Sequence, residues 1–494
     1  MKRRFLRLGL LAVLGIFTGV SAQDLADRVT KVTLDNGMRV LFVEQGVAPT
    51  IAFNFMFDVG GADEPNGLGG IAHMVEHMAF KGTDTIGSFD FEAEQRVLDQ
   101  IEVEWLALEW LRKNGTPEEI AAQEERFANA RTTAQELAEP AALDDLLSVN
   151  GGIGVNASTS YDRTDYRVEL PSNRLELYAR IYGDVLRNPV FRQFYEERDV
   201  VREERRQRSE DDPQGFLLEA FTDAAFEVHP YGRSLIGSNE EINSYSESAG
   251  IAFFERYYHP NRAVLALVGD VDVERDLPII EKYFGDIPAA PDLRPRIPTE
   301  PAQTQERRVT VEYDAEPQLV IGYHKPTYPE REAYVFDLID SVLSGGRTSR
   351  LYQRMVLQDQ SVLNIFTTSA YPGTRFNNLF LVYALPQQPA TPESLEPTIY
   401  EELDRLKTEL VTPEELEKVK NQVRAGTVRS LASGSGLASS LAYSELFAGG
   451  WETIISDLEI YDSITAEEIQ TVATKYFTPE NRTVGILLTK GAAE

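Results

Sequence analysis

Two widely separated stretches of the chain are versions of each other, and this restricts the fold more than any other feature. Tyr257-Tyr258-His259-Pro260-Asn261-Arg262 runs into Val264-Leu265-Ala266-Leu267-Val268, and Tyr476-Phe477-Thr478-Pro479-Glu480-Asn481-Arg482 runs into Val484-Gly485-Ile486-Leu487-Leu488. Each pattern predicts a helix that ends at an aromatic pair, a turn at proline and a buried strand. Earlier in each half, Thr50-Ile51-Ala52-Phe53 and Pro317-Gln318-Leu319-Val320 open a strand that leads through a glycine or proline turn to a helix. Between the halves, five prolines from Pro288 to Pro301 interrupt every periodic pattern, so residues 288–307 are expected to form an extended linker.

The later pair of repeats is 219 residues apart and the earlier pair 267, a difference of 48, so the first half should carry an insertion of roughly that size. From Phe91, the residues Val97, Leu98, Ile101, Trp105, Leu108 and Leu111 follow helical spacing until Asn114-Gly115. Thr116-Pro117-Glu118-Glu119 then supplies an N-cap, a first-turn proline and a capping-box glutamate for a second helix that runs toward Glu139-Pro140. The expectation is an acidic helical hairpin at about 93–145, standing outside the repeated core. It sits within a first domain of 23–287, followed after the linker by a second domain of 308–494.

Residues 1–22 read as an export signal, with Lys2, Arg3, Arg4 and Arg7 before an apolar run from Leu8 to Phe17 and small residues at Val20-Ser21-Ala22. Cleavage is expected before Gln23, which places the mature chain in the periplasm if the source is a Gram-negative bacterium. No later stretch reaches the ~18 apolar residues of a membrane span. The composition, 42% hydrophobic and 26% charged, supports a sizeable core. With no cysteine, disulfide scaffolds, thiolate metal sites and cysteine nucleophiles are excluded. A net charge of −31, or −35 once the four basic residues of the signal are removed, argues against nucleic acid as partner.

Two of the five histidines fall in His73-Met74-Val75-Glu76-His77, within a segment from Leu68 to Phe80 that reads as helical. Spacings of three and four put His73, Glu76 and His77 on one face. Two imidazoles one turn apart can hold zinc while the intervening carboxylate works on water, the arrangement that hydrolysis needs. The competing reading is a pair of solvent-facing histidines. A third ligand is sought in Glu197-Arg198-Asp199-Val200-Val201-Arg202-Glu203-Glu204-Arg205. There Glu197, Val200, Val201 and Glu204 form one stripe with the valines at its centre, which favours Glu204 over Glu203 as the inward carboxylate. Glu197 is placed to orient a ligand from behind. Taken without the motif, the same segment reads as a surface helix laced with ion pairs.

The segment Gly67 to Thr83, with its H-x-x-E-H core, resembles the metal-site helix of the pitrilysin/insulinase family of inverted-motif zinc metallopeptidases, and the layout is similar to that of the mitochondrial processing peptidase and its bacterial relatives. Glu197 to Glu204 resembles the family's E-x-x-x-V-x-x-E element, whose last glutamate is the third zinc ligand. Val155-Asn156-Ala157-Ser158-Thr159 resembles its active-site edge strand, so Asn156 and Ala157 would bind substrate. The resemblance implies an α+β fold of two homologous domains, each an antiparallel sheet covered by helices and together half of a clam-shell chamber. It implies one Zn2+ per chain, held by His73, His77 and Glu204, with Glu76 as the general base of a peptidase acting on peptides or unfolded segments. The family's substrate clamp, an arginine followed seven residues later by a tyrosine, aligns after Ser349-Arg350-Leu351 with Val356 and Leu363. The clamp is therefore expected from a homologous non-catalytic partner subunit. A scaffold subunit without catalysis, or a hydrolase of non-peptide substrates, would be the other readings.

Overall fold

Eleven strands and the helices between them build two sheets among the described residues. The computed structural model describes residues 25–46, 48–139, 141–291, 294 and 296–491, so the expected signal at 1–22 lies outside the described residues. Strands β1 (Val29–Thr33), β2 (Arg39–Glu44), β3 (Thr50–Phe57), β4 (Ile153–Thr159), β5 (Thr164–Pro171) and β6 (Ala263–Gly269) form the first sheet, in the order β1-β2-β6-β3-β5-β4. Strands β7 (Arg307–Tyr313), β8 (Gln318–Lys325), β9 (Val362–Tyr371), β10 (Asn378–Pro386) and β11 (Arg482–Thr489) form the second, in the order β7-β11-β8-β10-β9. The fold is α+β, and each sheet is antiparallel except for one parallel pair, β2 with β6 and β7 with β11. The repeat explains this: β6 and β11 occupy the same interior place in their sheets, each after a helix that ends at Tyr257 or Tyr476 and a short turn at proline.

Packing crosses the linker in both directions. The Pro213–Ala225 helix of the first half buries Leu217, Phe221 and Ala225 against Val320, Leu381 and Leu487 of the second sheet. In exchange, the Gly434–Phe447 helix of the second half buries Leu437, Ala438 and Leu441 against Leu41, Met56 and Val264 of the first. Each sheet is hydrophobic on both faces and needs a helix on each. The outer cover comes from the other half.

The insertion does form two helices, Phe91–Asn114 and Pro117–Leu137, joined at the Asn114-Gly115 break with the capping box in place. It does not stand outside the core. Leu98, Ile101, Trp105, Leu108, Phe127 and Ala134 are buried in the same cluster as the first sheet's Phe53 and Phe55. The sequence spacing marked these residues as one apolar stripe, and that stripe has no reason to face water when the rest of the first half offers a surface to bury it.

Candidate active site

The motif helix runs from Ile71 to Met78, shorter than the Leu68–Phe80 segment read from the sequence, because Gly70 adopts φ +86° and begins the helix abruptly. No side chain fits at Gly70: a Cβ would lie 2.2 Å from the carbonyl oxygen of Ile236. The buried Glu64 carboxylate accepts from the Gly70 and Ala72 amides at 2.8 and 2.9 Å, where the helix N-terminus favours an anion. Met74, Val75 and Met78 are fully buried, so the helix is enclosed on most sides and its polar face opens only toward the Phe194–Arg205 helix and β4.

There the three expected donors converge. Glu204 Oε2 lies 3.6 Å from His73 Nε2 and 3.6 Å from His77 Nε2, and one donor atom from each residue lies within 4.8 Å of the others. Tetrahedral zinc with bonds near 2.0–2.1 Å needs donor separations of about 3.3 Å, so small adjustments bring this set onto a metal, and two imidazoles with a carboxylate match the ligands of catalytic zinc sites. His77 Nδ1 faces Glu197 Oε2 at 3.1 Å, which fixes the ring with Nε2 toward the other donors. Lys81 also pairs with Glu197, at 2.5 Å. The second Glu204 oxygen is held by Arg208 at 2.7 Å. Glu203 turns to solvent and pairs with Arg206.

One element of the stripe argument fails. Val201 is fully buried, but Val200 is 49% exposed. The helix buries Phe194, Tyr195, Arg198, Val201 and Arg205 instead, a stripe rotated from the one expected, because an arginine can bury its stem and stack its guanidinium on aromatic rings. Glu204 is inward because it borders that stripe on the motif-helix side.

The electrostatics follow from burial and mutual contact. Burial, with His77 beside it, lowers the His73 pKa to about 4, so the ring is neutral. Burial also works against a proton on His77, but its hydrogen bonds to Glu197 and Glu204 outweigh this and raise it to about 9. The two carboxylates thus favour a cation at His77 Nε2, a proton when no metal is bound. Burial raises Glu76, while Thr159 partly offsets the shift by donating its hydroxyl to Oε2 at 2.6 Å.

Among the described residues β4 is an edge strand, paired only with β5, and Asn156 and Ala157 stand opposite Arg167 and Tyr166. Both line the same cleft as the histidines, a space of about 1090 Å³. Thr159 was not singled out from the sequence. Strand alternation alone puts it on the face of Ala157, but its contact with Glu76 depends on how the strand lies over the motif helix. The second half also reaches the cleft, through Tyr371 and Pro372. Asp162, 2% exposed, pins that loop by accepting from the Thr374 amide at 2.6 Å and the Tyr231 hydroxyl at 2.6 Å. The aligned clamp positions do not: Val356 is half-buried in a helical turn and Leu363 is exposed on β9.

In the second half, the Arg331–Ser344 helix turns Asp340 and Ser344 toward β9. There Thr367 of β9 donates to Asp340, and the Ser344 and Thr367 hydroxyls lie 2.7 Å apart. This knot offers no second metal set.

Comparison with known proteins finds relatives along most of the chain. The family described as Insulinase (Peptidase family M16) matches residues 39–97 and 130–239, and the one described as Peptidase M16 inactive domain matches 251–423. The break at 98–129 falls within the helical hairpin. The zinc protease PqqE of Helicobacter pylori is 27% identical over 444 residues, covering 87% of each chain. The crystal structure of a protease from Helicobacter pylori shares the fold with a TM-score of 0.78 at 24% identity, over 93% of this chain and 99% of that one. The periplasmic protease PqqL of Escherichia coli gives 0.69 at 17%, over 94% of this chain and 48% of that one. With the two parts of the family pattern matched along most of the chain, the second running across the linker, and the fold shared almost end to end, the chain belongs to the pitrilysin/insulinase family of M16 peptidases.

Proposed function

We propose that the chain is a zinc-dependent endopeptidase acting on peptides or unfolded segments, and the catalytic subunit of a pair whose other member supplies the clamp. The observation that carries this reading is the position of the Glu76 carboxylate, one helical turn from a converging His73, His77 and Glu204 set and beside an open strand edge. Zinc held by these three would act as a Lewis acid on the scissile carbonyl. Glu76, raised by burial, accepts the proton of the attacking water and delivers it to the leaving amine. Thr159 holds Glu76 in place, Glu197 orients His77, and β4 pairs with the substrate backbone while Asn156 engages it from the exposed side. Relatives named zinc proteases support the metal and the reaction class. A periplasmic protease among the structural neighbours and the basic-apolar start of the sequence support export, and no helix among the described residues is long and apolar enough to cross a membrane.

The test is Glu76→Gln. The amide keeps the shape of the site but takes up no proton, so peptide hydrolysis should fall by about 10²-fold or more while zinc stays near one per chain. His73→Ala or His77→Ala should lose both. Hydrolysis retained by Glu76→Gln, with contaminating protease excluded, would overturn the assignment and leave a metal-binding scaffold as the better reading.

A further inference from the structure

The Phe194–Arg205 helix is poorly equipped to hold itself in place. Its sequence, FYEERDVVREER, has eight charged residues in twelve, and one of its two valines is half exposed. It nevertheless bears Glu197 and Glu204, and a metal site needs ligands held to within about 0.5 Å. The side of this helix that faces away from the metal site is gripped by the hairpin. Trp105, 1% exposed, packs against Tyr195 with ring centroids 5.0 Å apart, and the Arg198 guanidinium lies 4.1 Å from the Trp105 ring centre. Just before the helix, Arg192 makes a bidentate pair with Glu94 at 3.0 Å, both side chains at most 3% exposed. Tyr195 donates to Glu102 at 2.8 Å. From the second hairpin helix, Arg131 and Gln135 both donate to Glu196, at 2.7 and 3.0 Å, and Phe127 meets Tyr195 edge-on at 5.0 Å.

We propose that the hairpin is a brace for the metal site: Trp105, through Arg198 and Tyr195, sets the position of the helix that carries Glu197 and Glu204. The proposal rests on the zinc-site reading above. Trp105 and Arg198 are positioning residues, because neither reaches the cleft. The ring fixes the helix against rotation about its axis, which would move Glu204 away from the two imidazoles and Glu197 away from His77 Nδ1. The match to the family pattern is interrupted at 98–129, the stretch that carries Trp105, Glu102 and Phe127.

The test measures zinc affinity of the whole apo chain by competition with a chromophoric chelator, well below the melting temperature. Trp105→Ala should weaken zinc by about ten-fold or more, in the range seen when groups behind metal ligands are removed, and Trp105→Phe should recover most of the loss. Ile280→Ala opens a cavity in the same core, on a helix that makes none of these contacts, and should lower the melting temperature while leaving zinc affinity within about two-fold. Wild-type affinity in Trp105→Ala, or equal weakening in Ile280→Ala, overturns the brace. If Trp105→Ala does not fold, the double change Arg131→Ala with Gln135→Ala decides, since it opens no core cavity: about a three-fold fall supports the brace and no fall overturns it. A wild-type chain that binds no zinc overturns the site reading as well as the brace, so the two failures are told apart.

Discussion

At the scale of single residues, polar groups on the helices of the two halves meet opposite surroundings. In the first half the inner face of the motif helix holds His73 and His77 open to a cleft; in the second, Asp340 and Ser344 close on Thr367. Burial raises the Asp340 pKa to about 7, with Asp337 adding to the shift and the Thr367 hydroxyl opposing it. A carboxyl whose folded pKa lies above its unfolded value of 3.8 favours folding while protonated. That contribution is complete below pH ~4 and is lost as the pH rises to about 7. Asp340→Asn keeps an acceptor for Thr367 and removes the ionisation, so above pH 7 it should be more stable than wild type by about 1–3 kcal/mol, with the difference vanishing near pH 4. Denaturant titrations across that range check it, and a pH-independent difference would show that Asp340 does not titrate in the window. The histidines and Glu76 were legible in the sequence because helix pitch alone brings residues three and four apart together. The Thr159 contact was not, since it arises between a strand and a helix more than eighty residues apart.

At the scale of elements, the same distinction holds. The spacing around Trp105 and the capping box at Thr116 announced two helices and a buried stripe but not the surface that receives it, so a hairpin expected outside the repeated core in fact packs onto it. The Pro213–Ala225 helix is a sharper case. Its pattern says that Leu217 and Phe221 are buried, and nothing local says that the sheet they cover belongs to the other half. The complementary mark lies far away, in Gly322 of β8 and Gly485 of β11, where a Cβ would stand 2.6 Å from Phe221 Cζ and 2.7 Å from Val320 Cγ1. Those glycines leave room for the helix. Gly322→Ala should therefore cost about 1–3 kcal/mol by overpacking, and adding Phe221→Leu should recover part of that loss. The two positions lie on opposite sides of the linker, so a double-mutant cycle by chemical denaturation reads contact between the halves directly. Strict additivity would mean that the helix does not press on β8 there.

At the scale of the whole molecule, the repeat and the linker were legible because they are patterns in one dimension, whereas the exchange of helices between halves is a fact of three. Its consequence is that the second half is held against the first half's cleft, with Tyr371 and Pro372 at the wall and Arg375 paired to Asp58 and Asp63 at 3.3 Å. This contact does not supply the family's clamp. Val356 and Leu363 have no polar side-chain atom, so neither can donate to a developing oxyanion. One missing donor of this kind costs about 10²–10³ in rate. The isolated chain is therefore predicted to bind zinc but cleave unstructured peptides poorly, gaining about 10²-fold when a homologous subunit with the arginine–tyrosine clamp is added, as read by peptide cleavage alongside mass measurement of the complex. Tyr371 is the competing donor. Burial raises its pKa to about 12, so the phenol keeps its proton and can donate. Full activity from a monomer or homodimer would overturn the need for a partner, and its loss in Tyr371→Phe would assign the donor to the chain's own second half.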